Sequence, residues 1–106
     1  MFSHVINIVV PHKLGIERAQ AAVLAMLANY KNTDPQVTWS DIEISNVSHA
    51  ADVHVVAHGV KVTAHIVVAA DRVTFYTEPI EGMVPAAVAE MWVEPKLRTM
   101  FTDALK

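Results

Sequence analysis

The stretch HGVKVTAHIVVAADRVTFYTE, residues 58–78, decides the fold of this chain. Apolar side chains recur at every second position from Val60 to Val68, which is the period of a β-strand with one buried face. Residues 73–77 repeat that alternation. Asp71 marks the turn between the two strands, because its carboxylate can hydrogen-bond nearby backbone amides. The stretch therefore predicts a β-hairpin with one face turned toward helices, and it places Ile66 on that face.

The segments before the hairpin predict one helix and three further strands. Residues 3–10 are rich in β-branched side chains and end at a proline, which is typical of a strand. Residues 36–44 predict a second strand with a turn or bulge at its middle, and residues 53–57 predict a third. Residues 45–51 are polar and predict a loop or a strand irregularity.

A helix is predicted from about residue 15 to residue 31, where the apolar period changes to that of a helix. Gln20 lies largely off its apolar stripe. The stripe consists of Ile16, Ala19, Val23, Met26, Leu27 and Tyr30.

The C-terminal segment carries two apolar stripes that are out of phase. Residues 84–91 hold the first and residues 97–104 the second, turned from it by roughly 120° at about 100° per residue. Pro95 lies between them and cannot donate a hydrogen bond within a helix. We therefore expect the last helix to be kinked near Pro95. The second stripe is then either an association surface or part of the same core.

These elements give the order β-α-β-β-β-β-α in one domain, residues 1–106. Strands grouped between helices indicate an α+β fold. We expect a curved antiparallel sheet of four to five strands with two helices packed on one face.

Composition excludes several classes of function. The formal net charge is −3 and the eight basic residues are scattered, which argues against nucleic-acid binding. The absence of cysteine removes disulfides, thiolate catalysis and cysteine-type zinc sites, and it fits a cytoplasmic location. No signal peptide or transmembrane segment is expected.

The chain resembles the polyhydroxyalkanoic acid system, or granule-region, family over nearly its whole length. The resemblance rests on an opening motif before an alanine-rich helix, a tryptophan on the next strand, and a glycine-led strand pair followed by an amphipathic helix: His12-Lys13-Leu14-Gly15, Trp39 and Gly59-Val60-Lys61. The chain departs from the pattern at residues 44–52, where it is longer, and at Pro95. The resemblance implies a cytoplasmic accessory protein linked to polyester storage granules, and it supplies no catalytic residue.

Three histidines, His54, His58 and His65, are the candidates for a metal site, since three imidazoles can hold zinc with an open position. Exposed sheet positions explain them as well, and no metal or other cofactor is expected. The pairs Asp52/His54 and Asp71/His65 are candidates for general acid–base chemistry. No nucleophile or phosphate-binding loop accompanies them, so an enzyme is not favoured.

Two groups of apolar residues are candidates for binding. Trp39, Phe75, Tyr76 and Met91 can line a pocket between the sheet and the last helix. A partner surface on the last helix would consist of Trp92, Leu97, Met100 and Phe101.

We expect a non-catalytic accessory or interaction protein that forms a homodimer and docks on a granule surface or a granule-associated protein. The alternative is a small module that binds an apolar ligand in the sheet–helix pocket, and the third reading is a histidine-dependent metalloenzyme. His12 either caps the first helix or shapes the end of the sheet.

Overall fold

The computed structural model of the chain describes residues 3–30, 37–40, 42–57, 60–81 and 94–106. It has the predicted α+β architecture, with two helices and an antiparallel sheet. The elements are β1 Ser3–His4, β2 Asn7–Pro11, α1 Ile16–Tyr30, β3 Val37–Trp39, β4 Ala50–Ala57, β5 Val60–Val68, β6 Arg72–Thr77, β7 Ile80–Glu81 and α2 Glu94–Ala104.

The main sheet has five strands in the order β2-β6-β5-β4-β3, all antiparallel to their neighbours. Strands β3 to β6 form a meander, and β2 joins it at the far edge beside β6. Helix α1 connects the two edge strands β2 and β3. Along the chain, the strands of the main sheet and the two helices follow the predicted order β-α-β-β-β-β-α. The short strands β1 and β7 pair separately.

The alternation predicted for the central hairpin is confirmed. Ala64, Ile66 and Val68 on β5 are buried, as are Val73 and Phe75 on β6. The amide of Ala69 donates to the carbonyl oxygen of Arg72 over 2.8 Å, so the two residues between them make a tight turn.

The N-terminal strand is interrupted, since β1 ends at His4 and β2 begins at Asn7. Ile6 stands between them, and its amide donates to the hydroxyl of Thr77 over 3.0 Å. The expected shared face of Ile6, Ile8 and Val10 is buried in the core.

Helix α1 lies on the inner face of the sheet. Gly15 precedes it with a φ of +79°, in the left-handed region that glycine adopts without steric cost. The stripe residues Ala19, Val23, Met26 and Leu27 are buried against the strands, and Ile16 is partly buried. The side chain of Tyr30 lies outside the described part.

Helix α2 packs on the same face and contacts both α1 and β2. It begins at Glu94, which places Pro95 in its first turn, where a proline costs no helical hydrogen bond. The stripe predicted for residues 84–91 lies outside the described residues. Met100, Phe101 and Leu105 are buried in the common core.

The segment between β3 and β4 is less regular than predicted. Ile42 and Ile44 belong to no strand, although Ile44 is buried. A turn follows, in which the amide of His49 donates to the carbonyl oxygen of Ser45 over 2.8 Å. Strand β4 then begins at Ala50, three residues before the strand that the sequence predicts.

Neither described helix combines the length and the apolar character that a membrane span requires.

Candidate functional site

The side of the main sheet opposite the helices forms a broad surface, which we call the open face. Alternation along the strands places on it a mixture of valine, threonine, tyrosine, histidine and charged side chains. They are Asn7, Val9, Thr38, Asp52, His54, Val56, Lys61, Thr63, His65, Val67, Thr74 and Tyr76. Four of its apolar side chains are more than a third exposed: Val9, Val56, Val67 and Tyr76.

His65 occupies the middle of the open face and contacts two carboxylates. Its Nδ1 lies 2.7 Å from Oδ1 of Asp52, its direct partner on β4. Its Nε2 lies 3.4 Å from Oε1 of Glu78, which directly follows β6. The imidazole therefore lies between two acceptors that belong to neighbouring strands.

Tyr76 completes this central row of the face. It is the direct partner of His65 on β6, and the two ring centroids are 5.0 Å apart with the planes tilted by 34°. Asn7 on the edge strand lies beside Tyr76, so the row runs Asn7, Tyr76, His65, Asp52 across four strands.

The hydrogen bond that the ring donates to Asp52 raises the pKa of His65 above its usual value of 6.5. Partial burial of the ring acts in the opposite direction, and the contact with Glu78 adds to the upward shift. Both effects of the carboxylates favour the charged ring, because an imidazolium can donate to two acceptors at once.

The remaining charges on the face lie near its ends. Lys61 lies opposite Val56 near the start of β5. At the other end the guanidinium of Arg72 donates to both carboxylate oxygens of Asp71 over 3.2 Å. This hydrogen bonding from Arg72 lowers the pKa of Asp71.

The structure changes the pairing of the acid–base candidates. Asp52 contacts His65 on the neighbouring strand, rather than His54 on its own strand, and Asp71 contacts Arg72. His54 is exposed on the open face opposite Thr63, where its main-chain amide donates to the hydroxyl of Ser40. The pairs follow the register across strands, which brings Asp52 directly beside His65.

Of the metal candidates, His54 and His65 share the open face and His58 lies outside the described residues. Within the described ranges, no three His, Asp or Glu side chains come close enough to hold a metal ion.

Of the four proposed pocket residues, the two whose side chains the structure describes, Phe75 and Tyr76, do not line a common pocket. Phe75 and Tyr76 are neighbours on a strand and therefore lie on opposite faces, Phe75 in the core and Tyr76 on the open face. Trp39 lies on β3 at the sheet edge with its side chain outside the described part, and Met91 is outside it altogether. The ring of Phe75 packs on that of Phe101 at 5.6 Å between centroids.

The partner surface expected on the last helix is instead part of the core. Met100 is 7% and Phe101 1% exposed, and Leu97 packs partly buried beside them. Trp92 lies outside the described residues. Of the two readings of the rotated stripe, the structure shows the one in which it joins the common core, because helix α2 lies directly on β2.

Two buried polar side chains, His12 and Gln20, tie connectors to the fold. His12 is buried, and its ring accepts from the amide of Leu14 at Nδ1 over 3.1 Å and donates from Nε2 to the carbonyl oxygen of Ala69 over 3.0 Å. These contacts require the neutral tautomer that carries its proton on Nε2. Of the two roles expected for His12, shaping the sheet end is the one that these contacts show.

Gln20 is the second group. It is 9% exposed, although the helical period placed it largely off the buried stripe. Its amide nitrogen donates to the carbonyl oxygen of Ile44 over 3.3 Å and to Oδ1 of Asn46 over 3.0 Å. Its amide oxygen accepts from Nδ1 of His49 over 2.9 Å. Gln20 thus fastens the turn before β4 to helix α1.

Chemically, the open face offers apolar contact, hydroxyl groups and one charged cluster. Its most polar part is directed to solvent, with the Asp52 side chain 74% exposed, whereas catalytic carboxylates work in sites that exclude water. The arrangement is suited to contact with another surface.

Comparison with known proteins gives no relative: no protein-family model matches the chain, and no curated protein matches it significantly.

Proposed function

We propose that the chain is a non-catalytic accessory protein that works as a homodimer, with the open face as its contact with a second copy. The observation that carries this proposal is that four large apolar side chains lie exposed on one face of the sheet, whose other face is covered by both helices. Apolar side chains collected on one surface mark contact sites more often than the same side chains scattered singly.

The size of the face suits a dimer. The five strands hold 31 residues in all, with about 3.4 Å of length for each residue and about 4.8 Å between strands. The flat area is then about 500 Å² before the relief of the side chains is added. A standard interface buries at least about 600 Å² on each partner, which the relief of the side chains brings within reach of two open faces in contact.

The charges of the face also suit a second copy. A two-fold contact brings the same patch together from both subunits, so a patch of one sign would repel itself. The open face and the adjoining turn carry both signs, with Lys61 and Arg72 against Asp52, Asp71 and Glu78. All three acids already contact His65 or Arg72, which reduces the cost of removing them from water.

The resemblance described above supports a setting for this dimer. We propose that it acts at polyhydroxyalkanoate storage granules, where the dimer is an accessory component and no reaction is assigned to it. The reading as an apolar-ligand module gains no support, because the rings of Phe75 and Phe101 pack directly on each other between sheet and helix.

The test of the dimer compares two substitutions of the same chemistry. Val67→Glu puts a carboxylate on the open face, two residues along β5 from His65, where Val67 is 36% exposed. Val47→Glu puts one on the turn before β4, where Val47 is 92% exposed and lies off the face. Sedimentation equilibrium should show a dimer for the unsubstituted chain and for Val47→Glu. Val67→Glu should weaken the dimer at least about tenfold, because each copy would bury an unpaired charge.

A monomeric unsubstituted chain at micromolar concentration would refute the dimer. Equal effects of the two substitutions would refute the open face as its interface. Granule association is tested separately, by sedimenting purified polyhydroxyalkanoate granules with the same three proteins and measuring the bound fraction.

A further inference from the structure

The contacts of His65 depend on its protonation state. The doubly protonated ring donates to Asp52 from Nδ1 and to Glu78 from Nε2 at the observed distances of 2.7 and 3.4 Å. A neutral ring with its proton on Nδ1 keeps the first contact and turns a lone pair toward the second carboxylate. Protonation thus decides whether the side chains of Asp52 and Glu78 are linked to each other through the ring of His65.

Several groups surround this ring on the open face. Asp52 faces it directly from β4, with His54 two residues further along that strand. Tyr76 faces it from β6, and Glu78 follows that strand. On its own strand Lys61 lies four residues away, beyond Thr63. Both nearest charges are negative, so a positive ring is the better partner for its surroundings.

The ring also sets the net charge of the face. The face and its turn carry two positive side chains, Lys61 and Arg72, and three negative ones, Asp52, Asp71 and Glu78. Their net charge is therefore −1 when the ring of His65 is neutral and zero when the ring is protonated. Two copies in contact bring two such faces together. Identical faces with no net charge repel each other less than two faces that carry −1 each.

We propose that His65 is a proton-operated control of the open face, which clamps Asp52 to Glu78 when doubly protonated and thereby favours pairing with a second copy. The part of this proposal that concerns pairing with a second copy, its association half, rests on the proposed function. The clamp itself is a property of the single chain.

The direction of the effect follows from the raised pKa of His65, whose largest cause is the hydrogen bond that the ring donates to Asp52. A group whose pKa is higher in the folded chain contributes stability that is fully present below its unfolded value of 6.5. That stability is lost as the pH rises through the folded pKa. The clamp should therefore weaken as the pH rises above 6.5, where the carboxylates stay ionised.

The first measurement is the urea midpoint of unfolding from pH 6 to pH 9, at a concentration low enough to keep the chain monomeric. The unsubstituted chain should lose stability toward high pH more steeply than His65→Gln. His54→Gln, which removes an imidazole from the same face, should keep the steeper dependence. Equal pH dependence of the unsubstituted chain and His65→Gln would overturn the proposal, whatever the chain's oligomeric state.

The second measurement is the dimer dissociation constant over the same pH range. It should rise about threefold to tenfold toward pH 9 for the unsubstituted chain and for His54→Gln, the size expected for one unit charge per copy at a partly hydrated interface. His65→Gln should keep one dissociation constant throughout.

The outcomes separate this proposal from the proposed function. A dimer with a dissociation constant that does not change with pH refutes the control by His65 and leaves the dimer standing. An unsubstituted chain that stays monomeric at every pH, with the same mass as Val67→Glu, refutes the dimer and with it the association half. A steeper rise in His65→Gln than in the unsubstituted chain reverses the sign and also overturns the proposal.

Discussion

The ring of His12 donates to the carbonyl oxygen of Ala69 over 3.0 Å, which joins the connector before helix α1 to the turn between β5 and β6. The same ring accepts from the amide of Leu14, two residues ahead of it. One buried side chain thus satisfies two backbone groups that no regular element pairs. The contacts of His12 therefore give it a structural role in this fold.

Two substitutions of His12 distinguish the effect of its contact with Leu14 from the effect of its contact with Ala69. His12→Ala leaves both backbone groups without their partner and should cost about 1–3 kcal/mol in the free energy of unfolding. His12→Asn should recover part of that loss, since an asparagine side chain can accept from the amide two residues ahead but is too short to reach Ala69. Urea denaturation measures both variants. The exposed neighbour provides the control, and Lys13→Ala should change stability by less than about 0.5 kcal/mol.

Phe101 tests the placement of helix α2. Because its ring is buried against Phe75, Phe101→Ala should cost about 3–5 kcal/mol, and Phe101→Glu should unfold the domain. Thr102→Ala, on the exposed side of the same helix, should be nearly neutral. Circular dichroism with urea denaturation gives the comparison. A folded Phe101→Glu protein would show that the stripe is not part of the core.

Ile66 and Thr63 test the two faces of β5. Ile66 is fully buried, so Ile66→Ala should cost about 2–5 kcal/mol, whereas Thr63→Ala on the open face should cost well under about 1 kcal/mol. Thermal unfolding of the two variants checks this difference. Equal shifts in melting temperature would mean that the alternation had been assigned to the wrong faces.

Gln20 tests the polar link between helix α1 and the turn before β4. Gln20→Leu leaves Asn46 and His49 without their buried partner and should cost about 1–3 kcal/mol. Arg18→Leu makes a similar change on the exposed side of the helix and should have little effect. Urea denaturation again gives the difference. Greater stability in Gln20→Leu would show that apolar packing at this site outweighs its three hydrogen bonds.

The regular elements could be predicted because alternation and helical period report directly on burial. Val23 in the helix and Phe75 in the strand lie where their periods place them. The burial of Gln20 was not predicted, because the groups that form hydrogen bonds with it come from a loop more than twenty residues away. A helical period identifies the apolar side of a helix, but it does not identify the loop that packs along the edge of that side.

Of the cluster on the open face, the sequence identified Asp52 and His65 as candidates but not Glu78. Asp52 and His65 both stood out as titratable residues, yet their contact depends on the register between β4 and β5, which no local pattern determines. The last helix shows the same limit. Its stripe of Leu97, Met100 and Phe101 was recognised, but the direction in which that stripe faces depends on where α2 docks.

The strand order has a consequence for synthesis of the chain. Strand β2 is translated before the other strands of the main sheet. Among the described strands it pairs with β6 alone, so the partner of Asn7, Tyr76, is translated almost seventy residues later. The meander of β4, β5 and β6 closes through contacts much nearer in sequence and can form as these strands leave the ribosome. Until then the N-terminal strand has an unpaired backbone edge and is open to wrong partners or to a chaperone. The main sheet is thus completed late in synthesis, although β2, the strand that completes it, is translated before the other four.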